Sequence, residues 1–176
     1  RWVVCKPITG EWWAMKNSVI ICPELAYRYT VLQASVTNRQ GGGVNWAFGP
    51  HPGGKWEIGV ASFCERIGVL MDKSGPSILN THPSKAYITL DKQKLVGLSY
   101  AATESVDGKK TYLHLFLPPK TNVIKLPTPA DGRKFTSAKL LSNNHPVKVH
   151  QTAEGVTLTV GKSDRWDDVD TIIVLQ

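Results

Sequence analysis

Two helical stripes and a series of short alternating runs divide the chain into unlike halves. Leu25, Tyr29, Leu32 and Val36 recur at steps of four, three and four, which is the spacing of one helix face. Pro23 suits the first turn of that helix, because proline needs no hydrogen-bond partner for its missing N–H there. Gln40 and the glycines at 41–43 end it. Trp56, Val60, Phe63, Ile67 and Leu70 form a second stripe, stopped by Lys73-Ser74-Gly75-Pro76. Helices are therefore predicted over 24–38 and 56–72, each preceded by a short apolar run fit for a buried strand, near 1–5 and 43–48. Strand, loop, helix repeated twice is the βα unit of a parallel sheet or barrel, so the two strands are expected to be parallel. Two units cannot close a barrel of eight, and they leave an open edge and a bare apolar face. The pattern calls for neighbours outside this sequence, and Arg1-Trp2-Val3-Val4-Cys5 reads as the middle of a buried strand. A fragment or processed chain is expected.

From about residue 84 the pattern changes to strands, expected at Ala86–Leu90, Leu95–Ala101, Thr111–Leu117, Val123–Leu126, Phe135–Leu141, Val147–Gln151, Val156–Val160 and Thr171–Leu175. Turn signals such as Asp107-Gly108, Pro118-Pro119, Asp131-Gly132 and Glu154-Gly155 separate them. Short strands at spacings near ten residues indicate an antiparallel β-sandwich. The expected division is 1–83, a pair of βα units, and 84–176, a β-sandwich.

Composition narrows the function classes. The 176 residues carry 21 basic and 14 acidic side chains, a net charge of +7. Residues 1–85 carry +4 and residues 86–176 +3, with no basic run longer than Lys109-Lys110. Nucleic-acid binders concentrate their charge on one face or tail, so no nucleic-acid partner is expected. No run reaches the ~18 apolar residues of a membrane helix, and no membrane partner is expected either. Cys5, Cys22 and Cys64 are odd in number and form no CxxC. They are expected to be buried free thiols, with one disulfide still open to them.

The motifs for chemistry are few. There is no GxSxG, HExxH, P-loop or GxGxxG. Gly41-Gly42-Gly43 lacks the lysine of a phosphate loop and reads as a helix stop. The histidines at 51, 82, 114, 145 and 150 have no paired ligand spacing, and His114 is expected to be a satisfied sheet histidine. Asp164-Arg165-Trp166-Asp167-Asp168 could be read as a calcium loop, but a solvated turn before the last strand is the expectation. No metal and no cofactor are called for. Glu11-Trp12-Trp13 is the most chemical stretch. Rings stack on the C–H faces of a sugar while a carboxylate binds hydroxyls or moves protons. Two tryptophans anchoring a loop over the core are an equal alternative.

The order of segments resembles the C-terminal part of the α-L-fucosidases of glycoside hydrolase family 29. The strand Trp2-Val3-Val4-Cys5, then Trp12-Trp13-Ala14, is similar to that family's Trp-Glu-x-Cys strand and the Trp-Gly-Tyr loop that follows it. Gly41-Gly42-Gly43-Val44-Asn45-Trp46-Ala47-Phe48-Gly49-Pro50 keeps the frame of its Gly-Gly-Asn-Leu-Leu-Leu-Asn-x-Gly-Pro motif. Ile67-Gly68-Val69-Leu70-Met71, Ser74-Gly75 and Leu79-Asn80-Thr81-His82-Pro83 resemble its last barrel helix and the stretch beyond. The resemblance spans nearly the whole chain.

It implies a fold of the last two βα units of a (β/α)8-type barrel followed by a C-terminal antiparallel β-sandwich. It implies a retaining glycoside hydrolase as parent, acting on a fucosylated glycan, with secreted or periplasmic localisation. The family's nucleophile, an Asp on an earlier barrel strand, would precede Arg1. The Glu that follows Trp in some members is Val3 here, and the Asn near the end of the last barrel strand is Ala47. Retaining cleavage needs two carboxylates about 5 Å apart, and Glu11 alone is expected near the rim, so no catalytic residue is assigned. Pocket walls are expected from Trp12, Trp13, Glu11, Trp46 and His51, because barrel sites form where strands end in loops. The rest of the parent barrel is an expected partner. The alternative is a non-catalytic carbohydrate-binding or structural β-sandwich module.

Overall fold

A computed structural model of the protein describes residues 2–12, 18–36, 42–89 and 100–176. Strand β1 (Trp2–Pro7) pairs in parallel with β2 (Gly42–Ala47), placing Cys5 opposite Asn45 and Lys6 opposite Trp46. Helix α1 (Pro23–Ser35) lies between them in sequence, and α2 (Val60–Ser74) follows β2. The parallel pair and α1 fall where the periodicity predicts them, while α2 starts at Val60 where the stripe from Trp56 puts it at 56. Arg1 and positions 37 and 38 of the predicted spans lie outside the described residues.

The remaining strands are β3 (Thr81–Pro83), β4 (Tyr100–Ser105), β5 (Thr111–Leu115), β6 (Val123–Leu126), β7 (Ala138–Leu140), β8 (Pro146–Thr152), β9 (Gly155–Thr159) and β10 (Thr171–Leu175). They form one antiparallel sheet of eight strands in the order β3-β4-β5-β10-β7-β8-β9-β6. The strands at 111–117, 123–126, 147–151, 156–160 and 171–175 are present with small shifts of their ends, and the run at 135–141 shrinks to Ala138–Leu140. Of the described part of the run at Ala86–Leu90 only Thr89 pairs, in an isolated parallel bridge with Val36. Leu90 and the segment 91–99, which includes most of the strand predicted at Leu95–Ala101, lie outside the described residues. The eight strands curl into one antiparallel sheet that wraps a shared core, which is the form the expected β-sandwich takes. β3, unseen in the sequence, enters that sheet within the first 83 residues by pairing His82 with Glu104.

Curling closes the sheet over its own core. Leu113 and Leu115 of β5, Ile173 and Leu175 of β10, Leu140 of β7, Val147 of β8 and Leu158 of β9 meet in one buried cluster. These are alternate positions along each strand, so a period-two pattern places them all on the inner face. The outer face of β4 and β5 receives the helices: Ala101 and Phe116 join Tyr27, Val31, Leu32 and Leu70 in a second cluster. A third cluster joins Ile8, Ala26, Val60 and Phe63, with Trp46 and Phe48 packed against it. Helix α1 thus buries one side against the large sheet and another against β2. That is why its buried residues include Ala26, Tyr27 and Val31, while Leu25 of the predicted stripe is exposed.

A buried polar network locks the two regions together. The Tyr27 hydroxyl donates to Asp170 Oδ2 at 2.7 Å, and His114 Nδ1 lies 2.6 Å from the same oxygen. His114 is fully buried and its other ring nitrogen faces the Ser77 carbonyl at 3.4 Å. It is the satisfied sheet histidine that the sequence predicts. Arg28 adds hydrogen bonds to the carbonyls of Asp168 and Val169. All three cysteines are free and exposed, against the expectation of burial. Cys5 sits on the face of β1 that no helix covers, beside Val3. No helix among the described residues is long and apolar enough to cross a membrane.

Candidate functional site

The C-terminal ends of β1 and β2 point the same way because the strands are parallel, so the loops that follow them leave from the same end of the pair. The backbone keeps them joined past the strands, with Ile8 N–H donating to the Ala47 carbonyl at 2.9 Å. The first loop turns at Gly10, whose positive φ of 81° suits glycine, and Thr9 Oγ1 donates to the Glu11 carbonyl. Glu11 and Trp12 stand exposed on it, Trp12 to 55%. Trp13 lies outside the described residues.

The second loop is more tightly built. His51 N–H donates to the Lys55 carbonyl and Gly54 N–H to the His51 carbonyl, both at 2.8 Å. The His51 ring nitrogen Nε2 lies 2.9 Å from Glu57 Oε2. Phe48 and Trp56 meet edge to face at 5.0 Å, leaving Trp56 mostly exposed. Gly59, at φ 97°, starts α2 one turn later than the stripe from Trp56 predicts. Glu57 is therefore a loop residue, where the sequence pattern puts it on or beside the outer helix. Its Oε2 is committed to His51, while Oε1 is buried without a partner. This second carboxylate is the residue that periodicity misses, and its only sequence signal is Gly59.

Side-chain alternation splits the β1–β2 pair into two faces. Cys5 and Asn45 share one, with Asn45 Nδ2 donating to Cys5 Sγ at 3.7 Å. Val3, Cys5 and Asn45 are all exposed there. The other face carries Trp46, which points into the helices. Its indole N–H donates to Thr30 Oγ1 at 3.0 Å, and its ring meets Tyr29 and Phe63 edge to face. Trp46 packs against the helices in this structure, on the face of the pair that also carries Lys6. Glu11 and Trp12 stand on the loop after β1 and His51 on the loop after β2, and among the described residues no hydrogen bond joins them. No group of three or more His, Cys, Asp or Glu that could hold a metal occurs among the described residues.

No protein-family model matches the sequence, and no curated protein does. Solved structures match it over its whole length. An α-L-fucosidase of glycoside hydrolase family 29 from Bacteroides thetaiotaomicron, trapped as a covalent intermediate in complex with 2-fluoro-fucosyl fluoride, superposes with a TM-score of 0.80 at 20% identity. The match covers 99% of this chain and 38% of that one. The α-L-fucosidase isoenzyme 1 of Paenibacillus thiaminolyticus gives 0.77 at 20% identity, covering 99% of this chain and 39% of the other. The Thermotoga maritima α-fucosidase in complex with fucose gives 0.76 at 14%, again with 99% and 39% covered. The chain thus spans less than two fifths of the length of these enzymes. Its fold is that of the C-terminal part of family 29 α-L-fucosidases.

Proposed function

We propose that this chain is the closing part of an α-L-fucosidase-like retaining glycoside hydrolase. Its first region supplies the last two βα units of a (β/α)8-type barrel, and its antiparallel sheet is the accessory β-sandwich. The observation that carries this is the β1–β2 pair, layered by helices on the Trp46 face and bare on the Val3, Cys5 and Asn45 face. A parallel pair dressed on one side only is what two neighbouring strands of a barrel look like, because the other side faces the barrel interior. The match to fucosidases over 99% of the chain supports the same reading.

In this reading the rim loops form pocket walls. Trp12 and Trp13 offer ring faces to the apolar side of a fucosyl unit, and Glu11 accepts hydrogen bonds from its hydroxyls. His51, held by Glu57, fixes the second wall. The Asp nucleophile sits on a strand of the remaining barrel, attacks the anomeric carbon, and expels the leaving group as the acid protonates it. Water then hydrolyses the glycosyl-enzyme. The substrate is a fucosylated glycan, and the protein works outside the cytoplasm, secreted or periplasmic.

Size-exclusion chromatography with light scattering tests the barrel reading. The 176-residue chain alone is expected to self-associate, since Val3, Val19 and Ile58 leave apolar surface open to solvent. A monodisperse monomer at high concentration counts against it and favours a self-contained sugar-binding or structural module.

A further inference from the structure

A second cleft lies far along the chain from the rim loops, where the last turn of α2 meets the segment leading into β10. It encloses about 280 Å³, at the lower end of the size of small-ligand sites. Lys73 of α2, Ser142 after β7, and Arg165, Trp166, Asp167 and Asp170 before β10 line it. The ring is held rigidly: the Trp166 indole N–H donates to the Thr121 carbonyl at 3.2 Å, and the ring packs on the main core.

The polar groups around this ring are unspent. Among the described residues, the side chains of Lys73, Arg165 and Ser142 make no hydrogen bond or ion pair. Asp167 uses Oδ1 for the N–H groups of Val169 and Asp170. Asp170 uses Oδ2 for Tyr27 and His114, while its Oδ1 is buried with no partner and its side chain is only 4% exposed. A buried carboxylate oxygen without a donor is costly, and Asp170 lines the cleft. A smaller hollow of about 20 Å³ lies beside Asp170 and Tyr27 and shares Lys73, Asp167 and Asp170 with the cleft, room for about one hydroxyl or water.

We infer that this cleft is a saccharide subsite, separate from the rim loops, that takes a neutral sugar unit on Trp166 with Asp170 as its hydroxyl acceptor. The signs of the lining decide the ligand class. Two cations face two carboxylates, so neither an anion nor a cation gains from the site as a whole. A neutral polyol offers donors to Asp167 and Asp170, acceptors to Lys73 and Arg165, and a C–H face to the ring. The subsite does not depend on the fucosidase reading, because no residue of the rim takes part.

The test is fluorine NMR of the full 176-residue chain labelled with 5-fluorotryptophan, recorded dilute, below the concentration at which light scattering shows self-association, with the six tryptophan lines assigned by single Trp→Phe variants. L-fucose, D-galactose and N-acetylglucosamine are titrated separately to about 20 mM, a range that detects millimolar binding. At least one is expected to shift the Trp166 line saturably. Arg165→Ala and Lys73→Ala, both exposed positions that spare the fold, are expected to weaken that binding about tenfold, by loss of a charged hydrogen bond. A Trp166 line unmoved by all three sugars overturns the inference. So does a shift unchanged in both variants, or one produced by phosphate or ammonium and not by a sugar. Movement confined to the Trp12 and Trp13 lines overturns it too while supporting the rim site, so the two readings fail separately.

Discussion

Tyr27 of helix α1 and Asp170, the residue just before β10, are 143 positions apart in sequence and meet at 2.7 Å. Burial and the neighbouring Asp170 carboxylate both push the Tyr27 phenol well above its ordinary pKa, so the hydroxyl stays a donor throughout the range in which the protein is folded. The bond fixes the helical region to the sheet. Tyr27→Phe is expected to cost about 1–2 kcal/mol in urea unfolding, because it removes one donor to a charged acceptor. Asp170→Ala is expected to cost more, about 3–5 kcal/mol, since it strands His114 and Tyr27 without their shared acceptor. Tyr29→Phe, whose hydroxyl has no partner among the described residues, is the near-neutral control. Equal losses at Tyr27 and Tyr29 would remove the network from the account of stability.

Acid stability has a local source at Glu24. Its carboxyl is held down from an ordinary 4.5 to about 2, first by the Cys22 thiol donating at 3.0 Å and then by Arg66 at 2.6 Å. A carboxylate whose folded pKa lies below its unfolded value adds stability that is complete above the unfolded pKa. That stability is lost as the pH falls from about 4.5 toward 2. Glu24→Gln is therefore expected to unfold more easily than the parent near neutral pH and to converge with it toward pH 2. Denaturant melts across that range check it, and a difference that widens in acid would contradict the assignment.

Gly155 closes the β8–β9 hairpin at φ 149°, a conformation that side chains avoid. A Cβ there would run into the Leu126 carbonyl oxygen of the neighbouring strand. Gly155→Ala is expected to destabilise by about 2 kcal/mol or more, read as a drop in denaturant midpoint. Gly132→Ala, which has a positive φ but open space, is expected to cost about 1 kcal/mol.

Local pattern carried most of the elements, and the failures trace to long-range pairing. Val156–Val160 alternates cleanly, and β9 forms over all of it but Val160, with Gly155 added at its start. Thr81–Pro83 is too short and too proline-bearing to announce a strand, and it becomes one only because β4 lies beside it. Whether eight strands make one curled sheet or two flat ones depends on β10 entering between β5 and β7, which no local spacing encodes. Cys5 looks buried because its neighbours are apolar, yet the partner surface for that face is not among the described residues. Trp56 fits the α2 stripe in spacing but packs on Phe48 ahead of the helix, which leaves Glu57 on the loop before Gly59. At the rim, the Glu11-Trp12 loop was legible from residue type alone, whereas the inward turn of Trp46 required the β1–β2 register.

The central claim is that this chain shapes a fucoside pocket without holding the nucleophile, and hydrolysis of an aryl α-L-fucoside tests it most directly. The isolated chain is assayed beside the parent hydrolase carrying Glu11→Gln or Glu65→Gln. Glu65 lies exposed on α2, on the layer that faces away from the rim. The account predicts no turnover by the isolated chain, because the proposed Asp nucleophile belongs to the rest of the barrel, the Glu57 carboxyl has one oxygen on His51 and the other buried, and loss of either carboxylate of a retaining pair removes orders of magnitude in rate. It predicts lowered turnover or sugar affinity for Glu11→Gln in the parent, and little change for Glu65→Gln. Robust turnover by the 176-residue chain alone would contradict the claim, and equal effects of the two substitutions would take Glu11 out of the pocket.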